Sequence, residues 1–89
     1  MIEVTATAQH YNWEKMPREA LNDKISRRII TGTDMMIAHV YFKAGGVAPK
    51  HSHHNEQITY ILEGALRFLL GEAQDQEVTV RAGEVIAIP

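Results

Sequence analysis

With 89 residues the chain holds one domain at most, and a chain of this length buries only about 60 to 65% of the surface its unfolded form exposes, so a metal, a second subunit or further chain is expected to supplement its stability. Its 45% apolar and 22% charged residues suit a soluble globular protein rather than a disordered or membrane chain, and a net charge of −2 with no basic run longer than Arg27-Arg28 provides no electrostatic footprint for nucleic acid. The absence of cysteine removes disulfides, thiolate ligands and cysteine nucleophiles together, so any metal must be held by N and O atoms.

The opening stretch MIEVTATAQHYNW has neither a basic region nor the apolar core of a signal peptide. No window approaches the roughly 18 apolar residues of a membrane span. Together with the lack of cysteine, this predicts a cytoplasmic protein with no membrane partner. Residues 1 to 24 form an N-terminal arm of uncertain structure: VTATA looks extended, and MPREALNDK reads either as one helical turn opened by Pro17 or as an irregular arm.

From residue 25 onward, short segments rich in β-branched and aromatic residues alternate with Gly, Asp and Asn at intervals of roughly 8 to 12 residues, the rhythm of an all-β sandwich or barrel. The expected strands are 25 to 31 (ISRRIIT), 35 to 43 (MMIAHVYFK), 47 to 53 (VAPKHSH), 57 to 63 (QITYILE), 65 to 71 (ALRFLLG), 77 to 81 (EVTVR) and 84 to 89 (EVIAIP). The chain is read as a single domain over residues 1 to 89, with barrel strands over 25 to 89. In YILEGALRFLL, Ile61 and Leu66 share one parity while Tyr60, Leu62 and Phe68 fall mostly on the other. Either an outer face packs against a second copy, making a homodimer, or bulges in a central strand reset the parity.

The stretch HSHHNEQ, residues 51 to 57, carries the chemistry. Residues two apart in a strand share a face, so His51 and His53 place two imidazoles about 6.5 to 7 Å apart along the chain, where one metal can take both. Gln57 has the same parity and can add an amide oxygen if the intervening residues bend. His54 has the opposite parity and faces solvent or supports a ligand. Glu56 becomes the ligand only if the register slips by one; otherwise it orients a ligand histidine or lies on the surface. Taken alone, His-x-His in a polar segment is more often a solvated loop.

The frame around it is more specific. Gly45 is followed by five residues, His51, one residue, His53, three residues, Gln57, six residues and Gly64; after 18 further residues, Gly83 stands six positions before Pro89. This spacing resembles the first motif of the cupin superfamily, G-x5-H-x-H-x3-E-x6-G, with Gln for Glu, followed by the start of the second, G-x5-P. The resemblance covers residues from about 25 to the end. It implies a cupin barrel (a double-stranded β-helix or jelly roll) with a divalent metal held by His51, His53 and Gln57. The family's second motif continues to a histidine that serves as fourth ligand, and this sequence ends at Pro89. The barrel is therefore expected to be incomplete at its C-terminus, in a chain that continues beyond Pro89. If 89 residues are the whole protein, a partner chain must finish the barrel and His10 or His39 becomes a substitute ligand.

Two imidazoles and an amide are all neutral, so such a site leaves the full 2+ charge on the metal. Imidazole-rich sites suit Zn, Ni, Mn, Fe or Cu, and spacing does not choose among them. Arg27 and Arg28 are most simply a solvated strand pair, although one of them pointing inward would clamp a substrate carboxylate. His39 reads as a strand-face histidine, and Met35, Met36, Tyr60 and Phe68 as packing residues. Within the cupins, Trp13, Leu21 and residues 25 to 30, followed by HSHHNEQITYILEG, resemble the small single-domain cupins of the pectin-degradation type, which carry glutamine in the metal set. That similarity implies non-redox ring opening or isomerisation of an unsaturated sugar acid, with the acid/base residues in a C-terminal region that this sequence lacks. An Fe-dependent cupin dioxygenase and a non-catalytic small-molecule binding cupin remain the alternatives.

Overall fold

The computed structural model describes residues 1 to 48 and 56 to 89. The chain divides into two compact units, one holding the first three strands and one the last four. Strands are the only extended secondary structure among the described residues: β1 (Glu19–Ala20), β2 (Ile25–Thr31), β3 (Met36–Phe42), β4 (Gln57–Tyr60), β5 (Ala65–Leu70), β6 (Gln76–Arg81) and β7 (Val85–Ile88), with one 3-10 turn at Trp13–Lys15. The fold is all-β, as the turn rhythm predicts, and among the described residues its strands form three antiparallel sheets, β1-β2-β3, β4-β7 and β5-β6. No helix among the described residues is long and apolar enough to cross a membrane.

At three places the structure decides between alternatives or corrects an expectation. Pro17 does not open a helical turn, which leaves the irregular-arm alternative for the residues around it. The turn lies before it, capped by Asn12, whose side chain accepts from Glu14 N, and it stops at Met16, which is extended (φ −88°, ψ 147°) because a residue preceding proline is driven out of the α region. Next, residues 19 and 20 form the short strand β1. Asn22 makes that possible: its Oδ1 accepts from Lys24 N and Ile25 N, both at 2.9 Å, and this side-chain turn folds β1 back onto β2. Last, Val47 and Ala48 of the expected strand 47 to 53 are not in a strand, and the rest of that segment lies outside the described residues.

In the first unit, β2 and β3 form a hairpin closed by the bond from Gly32 N to Met35 O (2.8 Å), and their register sets Arg28 opposite His39 and Ile25 opposite Phe42. Ile25 is 4% exposed. Its neighbour Gly46 sits where an added Cβ would meet Lys43 O at 3.1 Å, Phe42 at 3.3 Å and Ile25 at 3.4 Å, so a side chain there would force these neighbours to shift.

In the second unit, β4 leads through residues 61 to 64 into β5, and β6 leads through residues 82 to 84 into β7, so two corners connect the β4-β7 and β5-β6 pairs. Those corners bond to each other: Ile61 N donates to Glu84 O (3.1 Å), Gly83 N to Ile61 O (2.9 Å) and Ala82 N to Gly64 O (2.9 Å). Gly64 (φ 72°) and Gly83 (φ 87°) both adopt the left-handed conformation that L side chains rarely occupy. Ile61, 8% exposed, and Val80, 4% exposed, are the buried side chains of this unit among the described residues. Leu66 faces Val80 and Phe68 faces Val78 across β5 and β6, while Tyr60 and Leu62 are exposed.

Nothing lies within 4 Å of a Cβ built on Gly64 or Gly83, so the cost of a side chain there is conformational rather than steric. Gly64→Ala and Gly83→Ala are each expected to destabilise the protein by about 1 to 2 kcal/mol, and Gly→Asn at either position by less, because Asn tolerates this conformation better. Urea unfolding midpoints of the four variants check this; equal midpoints for Ala and Asn would show that the backbone conformation is not the cause.

Candidate functional site

Strand alternation sorts the side chains of β4. Gln57 and Thr59 are half-buried on one face, and Ile58 and Tyr60 are exposed on the other. Across the ladder Gln57 stands opposite Ile88 and Thr59 opposite Ile86, both half-buried, so two polar side chains share an otherwise aliphatic face. Gln57 Nε2 donates to Thr59 Oγ1 at 2.9 Å. With the amide nitrogen committed to the protein, Oε1 is the atom of Gln57 whose chemistry suits a cation.

Glu56 is exposed and lies just before β4. His51, His53 and His54 lie outside the described residues. Among the residues that are described, no group of three or more His, Cys, Asp or Glu is arranged to hold a metal, and that includes the surroundings of His10 and His39.

The two adjacent arginines part company by strand parity. Arg27 faces Glu19 across β1 and β2 and pairs with it at 3.4 Å; both side chains are substantially exposed, so the pair adds at most about 1 kcal/mol. Arg27 Nε is buried with no hydrogen-bond partner among the described residues. Arg28 projects from the opposite face, where it is tied down twice, through Nε to Met16 O (3.1 Å) and through Nη1 to Tyr41 Oη (2.8 Å).

Around Arg28 the arm and the β2–β3 hairpin build a cleft that the sequence reading did not anticipate. Trp13 stacks on His39 with ring centroids 3.8 Å apart and planes 14° apart, and His39 meets the edge of Tyr41. Arg18 lies over the Tyr41 ring at 3.9 Å and donates through Nε to Ser26 Oγ at 2.7 Å. His10, Trp13, Glu14, Arg28, His39 and Tyr41 are among the lining residues of this open cleft of about 770 Å³. The signal available in the sequence was the parity of His39 and Tyr41 on β3, with Arg28 opposite. Trp13 carried no such signal, because nothing in an irregular arm fixes which strand it will cover.

β4 pairs with β7 and runs through the Gly64 corner into β5, and with Gln57 half-buried on its inner ladder face it belongs to an all-β fold of short antiparallel strands. A family model described as a cupin domain matches residues 38–89, more than half of the chain, and the chain belongs to that family. The chain is also similar to the pectin degradation protein KdgF of Dickeya dadantii (strain 3937), with 34% identity over 59 residues that cover 64% of this chain and 54% of that protein. It therefore spans about half the length of the curated relative it matches. No solved structure matches it at comparable significance.

Trp13 is the sole tryptophan, so its emission reports on the stack with His39. His39→Ala is expected to shift that emission to the red and to destabilise the protein by about 0.5 to 1.5 kcal/mol, the range of an aromatic pair. Fluorescence spectra and urea unfolding of the variant check both, and an unchanged spectrum would mean that the stack does not form in solution.

Proposed function

We propose that this chain forms part of a metal-dependent cupin that opens or isomerises an unsaturated sugar acid without redox chemistry. The observation that carries the reading is Gln57: the motif spacing assigns it to the ligand set, and it sits half-buried on a β4 face with its nitrogen donating to Thr59. The similarity to a protein named for pectin degradation supports the substrate class.

In this proposal His51, His53 and Gln57 hold a divalent metal, with Zn, Ni, Mn and Fe all compatible with the donor set. A metal bound there supplies Lewis-acid polarisation of a substrate oxygen. The chain's own part is to present neutral donors, which leave the ionic charge uncompensated, and to line the face with Ile86 and Ile88, whose low polarity strengthens that charge's effect. Thr59 orients the Gln57 amide, a supporting role whose loss typically costs 10-fold or more in metal affinity. A homodimer belongs to the same proposal, because Ile58, Tyr60 and Val85 on the opposite face of β4 and β7 remain more than half exposed.

Purified without added metal, the protein is expected to carry about one divalent ion per chain, to lose it in His51→Ala, to retain it in Gln57→Glu, and to bind it roughly 10-fold more weakly in Thr59→Val; elemental analysis and chelator competition measure this. With the acid/base region that the resemblance implies also present, the ultraviolet absorbance of an unsaturated uronate's conjugated double bond is expected to decay without oxygen uptake, and to persist in His51→Ala. Oxygen consumption coupled to turnover would overturn the non-redox reading. Metal binding with no turnover of any unsaturated uronate would leave a binding module in its place.

A further inference from the structure

We infer that the cleft between the N-terminal arm and the β2–β3 hairpin is a binding site for a small carboxylate-bearing ring compound, with Arg28 and Tyr41 taking the carboxylate and the Trp13–His39 stack taking the ring. The site is built from residues outside the Gln57 face and does not depend on the metal proposal.

Charge is the first argument. Arg18 and Arg28 both converge on Tyr41, with guanidinium carbons 3.9 and 5.4 Å from its ring centre, and neither is in an ion pair among the described residues. Glu14 lines the same cleft, yet no ion pair joins it to either arginine. Arg28 lines the cleft and Arg18 lies against its Tyr41 wall, and because neither is paired with Glu14, both guanidinium charges remain for an anion to meet.

Geometry is the second argument. Arg28 is only half-buried, and its Nε and Nη1 are already spent on Met16 O and Tyr41 Oη, which fixes the plane of the guanidinium. Nη2 has no partner among the described residues. Tyr41 Oη accepts the bond from Nη1, so its own proton is left to donate. Nη2–H and Oη–H thus form a pre-set pair of donors for the two oxygens of one carboxylate. Both ends of the donor pair are held in place before any ligand arrives, which lowers the ordering cost of binding.

Shape is the third. A bare anion site needs no aromatic wall, but this cleft has one: the indole of Trp13 lies half-buried against His39, at a place where the rim of a sugar or other ring can pack. The volume of about 770 Å³ accommodates a monosaccharide-sized acid and its water.

Because Trp13 is the only tryptophan, its fluorescence reads occupancy directly. Titration with D-galacturonate is expected to give a saturable change in Trp13 emission, and D-galactose, which has the same ring without the carboxylate, is expected to give none at the same concentrations. Arg28→Gln is expected to weaken the response at least 10-fold, and Tyr41→Phe several-fold while keeping the ring beneath Arg18. Glu14→Gln is expected to tighten it, and His51→Ala to leave it unchanged. Circular dichroism accompanies each variant; if Arg28→Gln does not fold, Tyr41→Phe decides the matter. The inference is overturned if galactose and galacturonate act alike, if no saturable change occurs, or if Tyr41→Phe binds as the wild type does. Loss of the response in His51→Ala would also overturn it, by placing the ligand at the proposed metal face.

Discussion

The second unit depends on three backbone hydrogen bonds between its two corners, in which Ile61, Gly64, Ala82, Gly83 and Glu84 exchange main-chain donors and acceptors. A corner between sheets takes its residues out of both ladders and would strand their N–H and C=O groups; here each corner satisfies the other. Gly64 and Gly83 allow the tight reversals that bring the two corners into register. Arg81 N adds a further local bond to Glu84 Oε1 at 2.8 Å. With the corners locked, β4 can pair only with β7 and β5 only with β6. That pairing sets which face of β4 carries Gln57 and Thr59 and which aliphatic residues stand opposite them.

The first unit solves a different problem. Its β2–β3 hairpin has two faces and little chain to cover them. One face buries Ile25 beside Phe42 and Gly46. The other is covered by side chains of the arm, through the Trp13–His39 stack, the Arg18 contact with Tyr41 and the bond from Arg28 to Met16 O. Such cover is polar and aromatic rather than aliphatic. It leaves an open cleft lined by guanidinium, phenol and imidazole groups, where a conventional core would have left nothing accessible. The hairpin's stability and the cleft's chemistry therefore come from the same contacts.

Much of the strand pattern was legible in advance. β2 runs over the residues 25 to 31 that its β-branched run defines, and β3, β5, β6 and β7 fall within a residue or two of the segments bounded by Gly and Asp. Expected strand 57 to 63 proved shorter, because its last residues form the corner whose Ile61 bonds to the neighbouring corner. The arm was illegible for a physical reason. Pro17 is compatible with either the start or the end of a helical turn, and only its effect on Met16 decides; likewise, two exposed residues such as Glu19 and Ala20 carry no periodicity from which a strand could be read. Of the candidate site, parity put Gln57 on the half-buried face of β4, whereas its grouping with His51 and His53 rests on that parity, on a bend between them and on the family's spacing.

Local rules that act within a few residues decided what the sequence by itself determined: the all-β class, the turn glycines at 45, 64 and 83, the separation of Arg27 from Arg28 onto opposite faces, and the motif spacing that marks a cupin. Tertiary structure alone decided that Gly64 and Gly83, with 18 residues between them, belong to one hydrogen-bonded joint, and that Trp13, Arg28, His39 and Tyr41 meet around one cleft. Those outcomes turn on which backbone groups remain unpaired after the strands form and on which side chains are at hand to cover an exposed hairpin face. Neither quantity is a property of any short window of residues, so no local pattern records it.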